Sequence, residues 1–73
     1  MNRGPYATLT NGVGRKFSVH HSAVLWVEQA DDGAYIMLRI GNNKESYKVQ
    51  TSYDEVMKEL DKARRAEIVS YGE

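Results

Sequence analysis

Three groups of turn-forming residues divide the first fifty residues of this chain into short segments. The groups are Asn11-Gly12 with Gly14, Asp31-Asp32-Gly33, and Gly41-Asn42-Asn43. They supply the tight-turn and positive-φ positions that hairpins need. Outside these turns, the segments at 6–9, 15–19, 24–29, 34–40 and 45–49 are rich in strand-forming residues. The sequence therefore predicts an antiparallel β-meander of four or five strands over residues 6–50.

The apolar period changes from two to between three and four after Thr51. Ser52 followed by Glu55 has the form of a capping box, which satisfies exposed amides at a helix start. The apolar residues beyond it are Tyr53, Val56, Met57, Leu60 and Ala63. We expect one amphipathic helix over about 53–66, packed on one face of the sheet, and a frayed or partly docked tail over 68–73. The predicted fold class is α+β.

The length of 73 residues predicts a single domain over 1–73. A core this small typically provides roughly 3–5 kcal/mol of net stability, which leaves little margin for a strained, polar active-site cleft. Gly4-Pro5 favours an extended backbone, so residues 1–5 are expected to form a flexible arm that is free to reach a partner.

The charge and cysteine content restrict the environment and the partners. Ten basic and ten acidic residues give a net charge of zero, so the long-range attraction that dominates non-specific nucleic-acid binding is missing. The chain has no cysteine, which excludes disulfides and thiolate metal sites. It also has no apolar run near the ~20 residues of a membrane helix. We expect a soluble, cytoplasmic protein without a membrane partner.

No group of residues has the pattern of a catalytic or cofactor site. His20-His21 lacks further ligands for a metal, and neighbouring strand residues point to opposite faces. Gly12-Val13-Gly14 lacks the lysine of a Walker loop and the third glycine of a dinucleotide fingerprint. Asp31-Asp32 lies at a solvated turn, where no cavity would perturb a carboxyl group. We therefore expect a protein that is not an enzyme and that holds no metal or cofactor.

Alternation along the segment 34–40 separates two sets of side chains. Ile36, Leu38 and Ile40 would face the helix, and Tyr35, Met37 and Arg39 would face away from it. A single helix covers only one face of a sheet, so the second set is expected to meet solvent, a partner or a second copy.

The same alternation in the preceding segment leaves two alternatives open. Val24 and Trp26 would share one face and Leu25 and Val27 the other. If Trp26 lies on the face of Tyr35, the two form an aromatic interaction surface together with Met37. In the other alternative, Trp26 fills the core.

An aromatic sheet face is also typical of proteins that bind single-stranded nucleic acids. Such platforms interleave stacking rings with basic side chains. Arg15, Lys16 and Arg39 give thin support for such a platform. Direct nucleic-acid contact is therefore a weaker alternative than protein binding.

Several short motifs follow one another between Tyr6 and Leu60. They are Leu9-Thr10-Asn11-Gly12, Lys16-Phe17-Ser18-Val19, Val27-Glu28, an Ile-x-Leu strand, a Gly-Asn turn, Tyr47-Lys48-Val49 and Ser52-Tyr53-Asp54-Glu55-Val56. In this order they resemble the small flagellar and swarming-motility proteins. The resemblance implies an adaptor that binds a component of the motility apparatus.

Taken as a whole, from Met1-Asn2-Arg3-Gly4-Pro5-Tyr6 through the meander to the single helix, the chain is similar to small transcription regulators of Xanthomonas phages. This resemblance, which we prefer, implies binding to host RNA polymerase subunits in the host cytoplasm, inhibition of initiation and antitermination. The partner-binding residues expected under this hypothesis are Arg3, Tyr6, Arg15, Lys16, Trp26, Tyr35, Met37 and Arg39.

Overall fold

The computed structural model describes the backbone of residues 4–72 and the side chains of residues 4–66, and it has the expected α+β architecture. The strands are β1 (Tyr6–Thr10), β2 (Lys16–His20), β3 (Val24–Ala30), β4 (Gly33–Ile40) and β5 (Asn43–Val49). A 3-10 turn at His21–Ala23 separates β2 from β3, and the helix α1 spans Tyr53–Gly72.

The strands form two antiparallel sheets that are joined at one edge by backbone pairing. β1 pairs with β2, and β3, β4 and β5 form a second sheet in that order. A single antiparallel bridge between Asn11 and Val49 joins the two, and beside it the amide of Gln50 donates a hydrogen bond of 2.8 Å to the carbonyl of Thr10. The antiparallel order of the predicted meander is confirmed, and its division into two sheets falls at the 3-10 turn.

At Pro5 the structure differs from the prediction of a flexible arm over residues 1–5. The carbonyl of Pro5 accepts a hydrogen bond from the amide of His21 at 3.1 Å, so Pro5 is part of the fold. Residues 1–3, including Arg3, lie outside the described part of the chain.

The loop of the first hairpin is closed by one side chain. Asn11 Oδ1 accepts hydrogen bonds from the amides of Val13 and Arg15 at 3.0 and 2.9 Å. Gly14 has a φ of +85°, a conformation that other residues rarely adopt. Asparagine is favoured here because its side chain satisfies backbone donors that the turn leaves open.

The helix begins where the sequence predicts and extends further. Ser52 Oγ accepts a hydrogen bond from the amide of Glu55 at 3.3 Å, as expected of an N-cap. The predicted helix, which ended at 66 and was followed by a tail over 68–73, was too short, because α1 continues to Gly72. No proline or glycine interrupts residues 53–71, so each added residue adds one backbone hydrogen bond to an existing helix.

The core lies between α1 and the two sheets. Its buried members are Ala7, Leu9, Ala34, Ile36, Leu38, Val49, Val56 and Ala63. Tyr53 and Leu60 pack partly against them, as the apolar stripe of the helix predicts. Met57 was wrongly assigned to that stripe, because it is 42% exposed.

Alternation in β4 is confirmed except at its last residue. Ile36 and Leu38 are buried, and Tyr35 and Arg39 are exposed. Ile40 was expected in the core but is 48% exposed. It ends the strand beside the turn to β5, where the sheet provides neighbours on one side only.

A β-bulge in β3 changes its alternation. The register with β4 shifts between Val24 and Trp26, so one extra residue turns the following side chains to the other face. Val24 and Val27 both pack against the core, and Leu25 and Trp26 are both exposed. The predicted pairing of Val24 with Trp26 on one face was therefore wrong.

Candidate interaction face

The face of β3–β4–β5 that points away from the core carries three large apolar side chains. Trp26 lies directly opposite Met37 in the register of β3 and β4. Tyr35 lies two residues before Met37, so it shares that face. Trp26 is 48% exposed, Tyr35 is 44% exposed, and Met37 is half-buried. We call Trp26, Tyr35 and Met37 the aromatic face.

Charged side chains border one end of the aromatic face. Tyr35 lies between Glu28 on β3 and Lys48 on β5. Lys48 forms an ion pair with Asp32 at the β3–β4 turn. The hydrogen bond from Lys48 and its positive charge lower the pKa of Asp32, and the same pairing raises the pKa of Lys48. This end therefore carries one ion pair together with the acidic side chains of Glu28 and Asp31.

Removing the ammonium group of this pair should raise the pKa of Asp32. We expect the pKa of Asp32 to lie below its ordinary value in the natural chain and to rise toward that value in the variant Lys48→Met. Because the folded pKa is lowered, the pair contributes stability at pH above 3.8 and loses it as pH falls through the lowered value. Carboxyl shifts in a pH titration by NMR measure both values, and an unchanged pKa in Lys48→Met would contradict the pairing.

The other end of the aromatic face is basic. Arg39 on β4 and Lys44 on β5 lie opposite each other in the register, and both are exposed. Neither forms an ion pair with any residue whose side chain the structure describes. Like charges directly opposite across two strands repel each other. An acidic group placed between them by a partner would remove that repulsion.

The structure brings together four of the eight predicted partner-binding residues. Trp26, Tyr35, Met37 and Arg39 share one face of the three-stranded sheet. Tyr6, Arg15 and Lys16 belong to the β1–β2 hairpin, and Arg3 lies outside the described residues. Tyr6 is 49% exposed and meets the ring of His20 edge-on, with 5.4 Å between ring centroids. The predicted residues therefore form one face and a separate hairpin surface.

Sequence reasoning missed the residues of β5 that complete this face. They are Lys44, Ser46 and Lys48, opposite Arg39, Met37 and Tyr35 respectively. The signal that identifies them is the two-residue turn Gly41-Asn42, in which Gly41 has a φ of +62°. A turn of this length pairs Ile40 with Asn43 and so sets every later pair by counting.

The described residues also bear on metal binding and on membrane insertion. No group of three or more His, Cys, Asp or Glu side chains there could hold a metal ion. The two neighbouring histidines stack on each other, with 4.8 Å between the ring centroids of His20 and His21. Over the same range, no helix combines the length and the apolar character that crossing a membrane requires.

Comparison with known proteins assigns no family to this chain. No protein-family model matches it, and no curated protein or solved structure shows significant similarity to it.

Proposed function

We propose that this chain is a non-enzymatic regulator that binds a protein partner through the aromatic face. The observation that carries the proposal is the direct cross-strand pairing of exposed Trp26 with Met37, with Tyr35 beside them. Trp, Tyr and Met are enriched at the centres of protein interfaces, where a large apolar area is buried at a small loss of side-chain entropy. On this proposal, the partner covers Trp26 and the charged side chains form the polar rim.

The charges beside the aromatic face favour a partner with an acidic patch. Arg39 and Lys44 repel each other in the free protein, and a carboxylate group between them would turn this repulsion into attraction. Charges at the rim of an interface mainly accelerate association and select the partner. Binding should therefore weaken moderately as the salt concentration rises.

We further propose that the partner is bacterial RNA polymerase, in the cytoplasm of a bacterial host. This part depends on the resemblance to small phage transcription regulators, which implies inhibition of initiation and antitermination. The hairpin residues Tyr6, Arg15 and Lys16 would make a second contact, together with Arg3. The resemblance to motility proteins supports an alternative partner, a motor or export component.

Truncation of Trp26 should strongly weaken binding to the partner and leave the fold intact. Trp26→Ala is expected to weaken binding to polymerase by at least about 30-fold, the effect of losing roughly 2 kcal/mol at an interface centre. The fold should persist, because Trp26 is 48% exposed. Co-migration with purified bacterial polymerase and transcript yield from a promoter-dependent template measure the effect.

The matched control is Met57→Ala, which removes an apolar side chain that is 42% exposed on the helix. It should bind as the natural chain does. If the natural chain neither binds polymerase nor alters the transcript yield, the assignment to polymerase is wrong. If Met57→Ala weakens binding as much as Trp26→Ala, the assignment to the aromatic face is wrong. A complex with single-stranded nucleic acid that weakens steeply with salt would instead indicate the nucleic-acid alternative.

A further inference from the structure

One edge of β5 has no strand paired with it along most of its length. β4 pairs with the other edge from Asn43 to Val49. On the open edge, within the part of the chain that the structure describes, only Val49 is bridged, by Asn11. All the residues from 43 to 48 are exposed. An edge of this kind presents a row of unpaired backbone donors and acceptors to other chains.

The alternation of the backbone identifies which groups point outward. The amide of Gln50 donates across the open edge to Thr10. In an antiparallel strand the amide and carbonyl groups of every second residue point to the same side. The backbone groups of Ser46 and Lys44 are therefore directed away from β4. β1 does not reach them because its chain turns at Asn11 into the hairpin loop.

An apolar groove lies beside this edge, on the core side of the sheet. It has a volume of about 440 Å³, and its apolar lining is Val13, Phe17, Leu38, Tyr47 and Val49. Two of these residues, Tyr47 and Val49, belong to β5 itself. A strand placed on the edge would alternate its side chains, so every second one would face this groove.

We propose that an extended peptide segment of a partner protein adds to the open edge of β5 as an antiparallel strand. Its backbone would pair with Ser46 and Lys44, and a large apolar side chain opposite Tyr47 would enter the groove. In this mode of recognition the main chain provides affinity and the groove selects alternate side chains. The groove lies on the opposite side of the sheet from Trp26, Tyr35 and Met37, and the proposal does not depend on the function proposed for the aromatic face.

The charges of β5 define the sequence that this segment needs. Lys44 and Lys48 lie on the outer side of the strand, on either side of Ser46. An acidic residue opposite Lys44 would form an attractive cross-strand pair, and one opposite Lys48 would share that ammonium group with Asp32. The segment therefore has an apolar residue opposite Tyr47, an acidic residue before it, and a second acidic residue three positions after it.

A second copy of this chain is a poorer occupant. If two β5 strands pair antiparallel about Ser46, Lys44 of each copy lies opposite Lys48 of the other. If they pair about Glu45, two carboxylates lie opposite each other. Like charges directly opposite destabilise the pairing in both arrangements. The same lysines that favour an acidic peptide thus disfavour self-association.

A synthetic peptide that alternates leucine with glutamate tests the proposal. A peptide of about eight residues, labelled with fluorescein, should bind the full chain with a Kd below about 1 mM. Amide hydrogen exchange at Ser46 and Lys44, followed by NMR, should slow when it binds. N-methylation of the peptide on the edge that meets β5 should weaken binding at least ~10-fold, because it removes backbone donors and leaves the side chains unchanged.

Variants of the protein test the same backbone pairing from the side of β5. Ser46→Pro removes one outward amide and should weaken peptide binding at least ~10-fold. Ser46→Ala keeps that amide and should change the Kd of the peptide by less than ~2-fold. Trp26→Ala should leave peptide affinity unchanged, which separates this site from the aromatic face. Absence of binding at ~1 mM, equal affinity of the N-methylated peptide, or unchanged exchange at Ser46 would each overturn the proposal. If Ser46→Pro does not fold, the comparison of the peptide with its N-methylated form still tests the proposal.

Discussion

The variant Gly33→Ala is expected to lose about 3 kcal/mol or more of its free energy of unfolding, because the added methyl group meets backbone atoms. A Cβ at this position would lie 2.0 Å from the carbonyl oxygen of Val49 and 3.2 Å from its carbonyl carbon. Gly33 also has a φ of +153°, a backbone conformation that residues other than glycine rarely adopt.

The chain cannot relieve this contact by a small local movement. Val49 is 1% exposed, pairs with Ala34 in the three-stranded sheet, and forms the bridge to Asn11. A shift of its carbonyl would disturb the point at which the two sheets meet. A domain of this size has roughly 3–5 kcal/mol of stability in total, so a large fraction of Gly33→Ala molecules should be unfolded in water.

Gly41→Ala is the matched control for this prediction. Gly41 has a φ of +62°, and a Cβ there would meet nothing within 4 Å. The same methyl group should therefore cost only about 1–2 kcal/mol, from the left-handed backbone alone. Urea unfolding followed by circular dichroism compares the two variants. Equal losses would show that the close approach of Gly33 to Val49 does not exist in solution.

The variant Ile36→Ala is expected to lose about 2–5 kcal/mol, whereas the neighbouring variant Met37→Ala should lose less than about 1.5 kcal/mol. Ile36 is 0% exposed and lies in the core cluster with Val56 of the helix. Its removal leaves a cavity that close packing cannot fill. Met37 points to the opposite side of the same strand and is half-buried beside Trp26.

A milder variant keeps this comparison measurable. Ile36→Val should cost about 0.5–1.5 kcal/mol and remain folded, so its urea midpoint can be determined directly. Met37→Ala should in addition weaken binding by the aromatic face. If Met37→Ala lost as much stability as Ile36→Ala, the assignment of the two sides of β4 would be wrong.

The two proposed surfaces have different consequences for stability. The aromatic face consists of side chains that project from a complete sheet, so truncating Trp26 removes few core contacts. Recognition at the β5 edge depends on backbone groups, the adjoining groove and the charges of Lys44 and Lys48, so Ser46→Pro should affect it and Trp26→Ala should not. This difference lets the two surfaces be mutated separately in a domain with little stability to lose.

Several features depend on neighbours along the chain and could be predicted from the order of the residues. The turns at Asn11, Asp31 and Gly41, the helix start at Ser52 and the two sides of β4 through Leu38 all follow from local residue preferences and alternation. The register of β4 and β5 did not follow, because the sequence indicated a turn over 41–43 and the structure has a two-residue turn that pairs Ile40 with Asn43.

Other features depend on contacts between segments that are far apart in the chain, and these are visible only in the folded structure. The bulge before Trp26 settled the two alternatives for β3 in favour of exposure, since a shift of one residue reverses the faces of a strand. The exposure of Ile40 and Met57 and the contact of Gly33 with Val49 likewise depend on what packs against them. The groove and the open edge of β5 exist because β1 turns away at Asn11. Alternation within β5 carries no information about the residue at which β1 stops pairing with it.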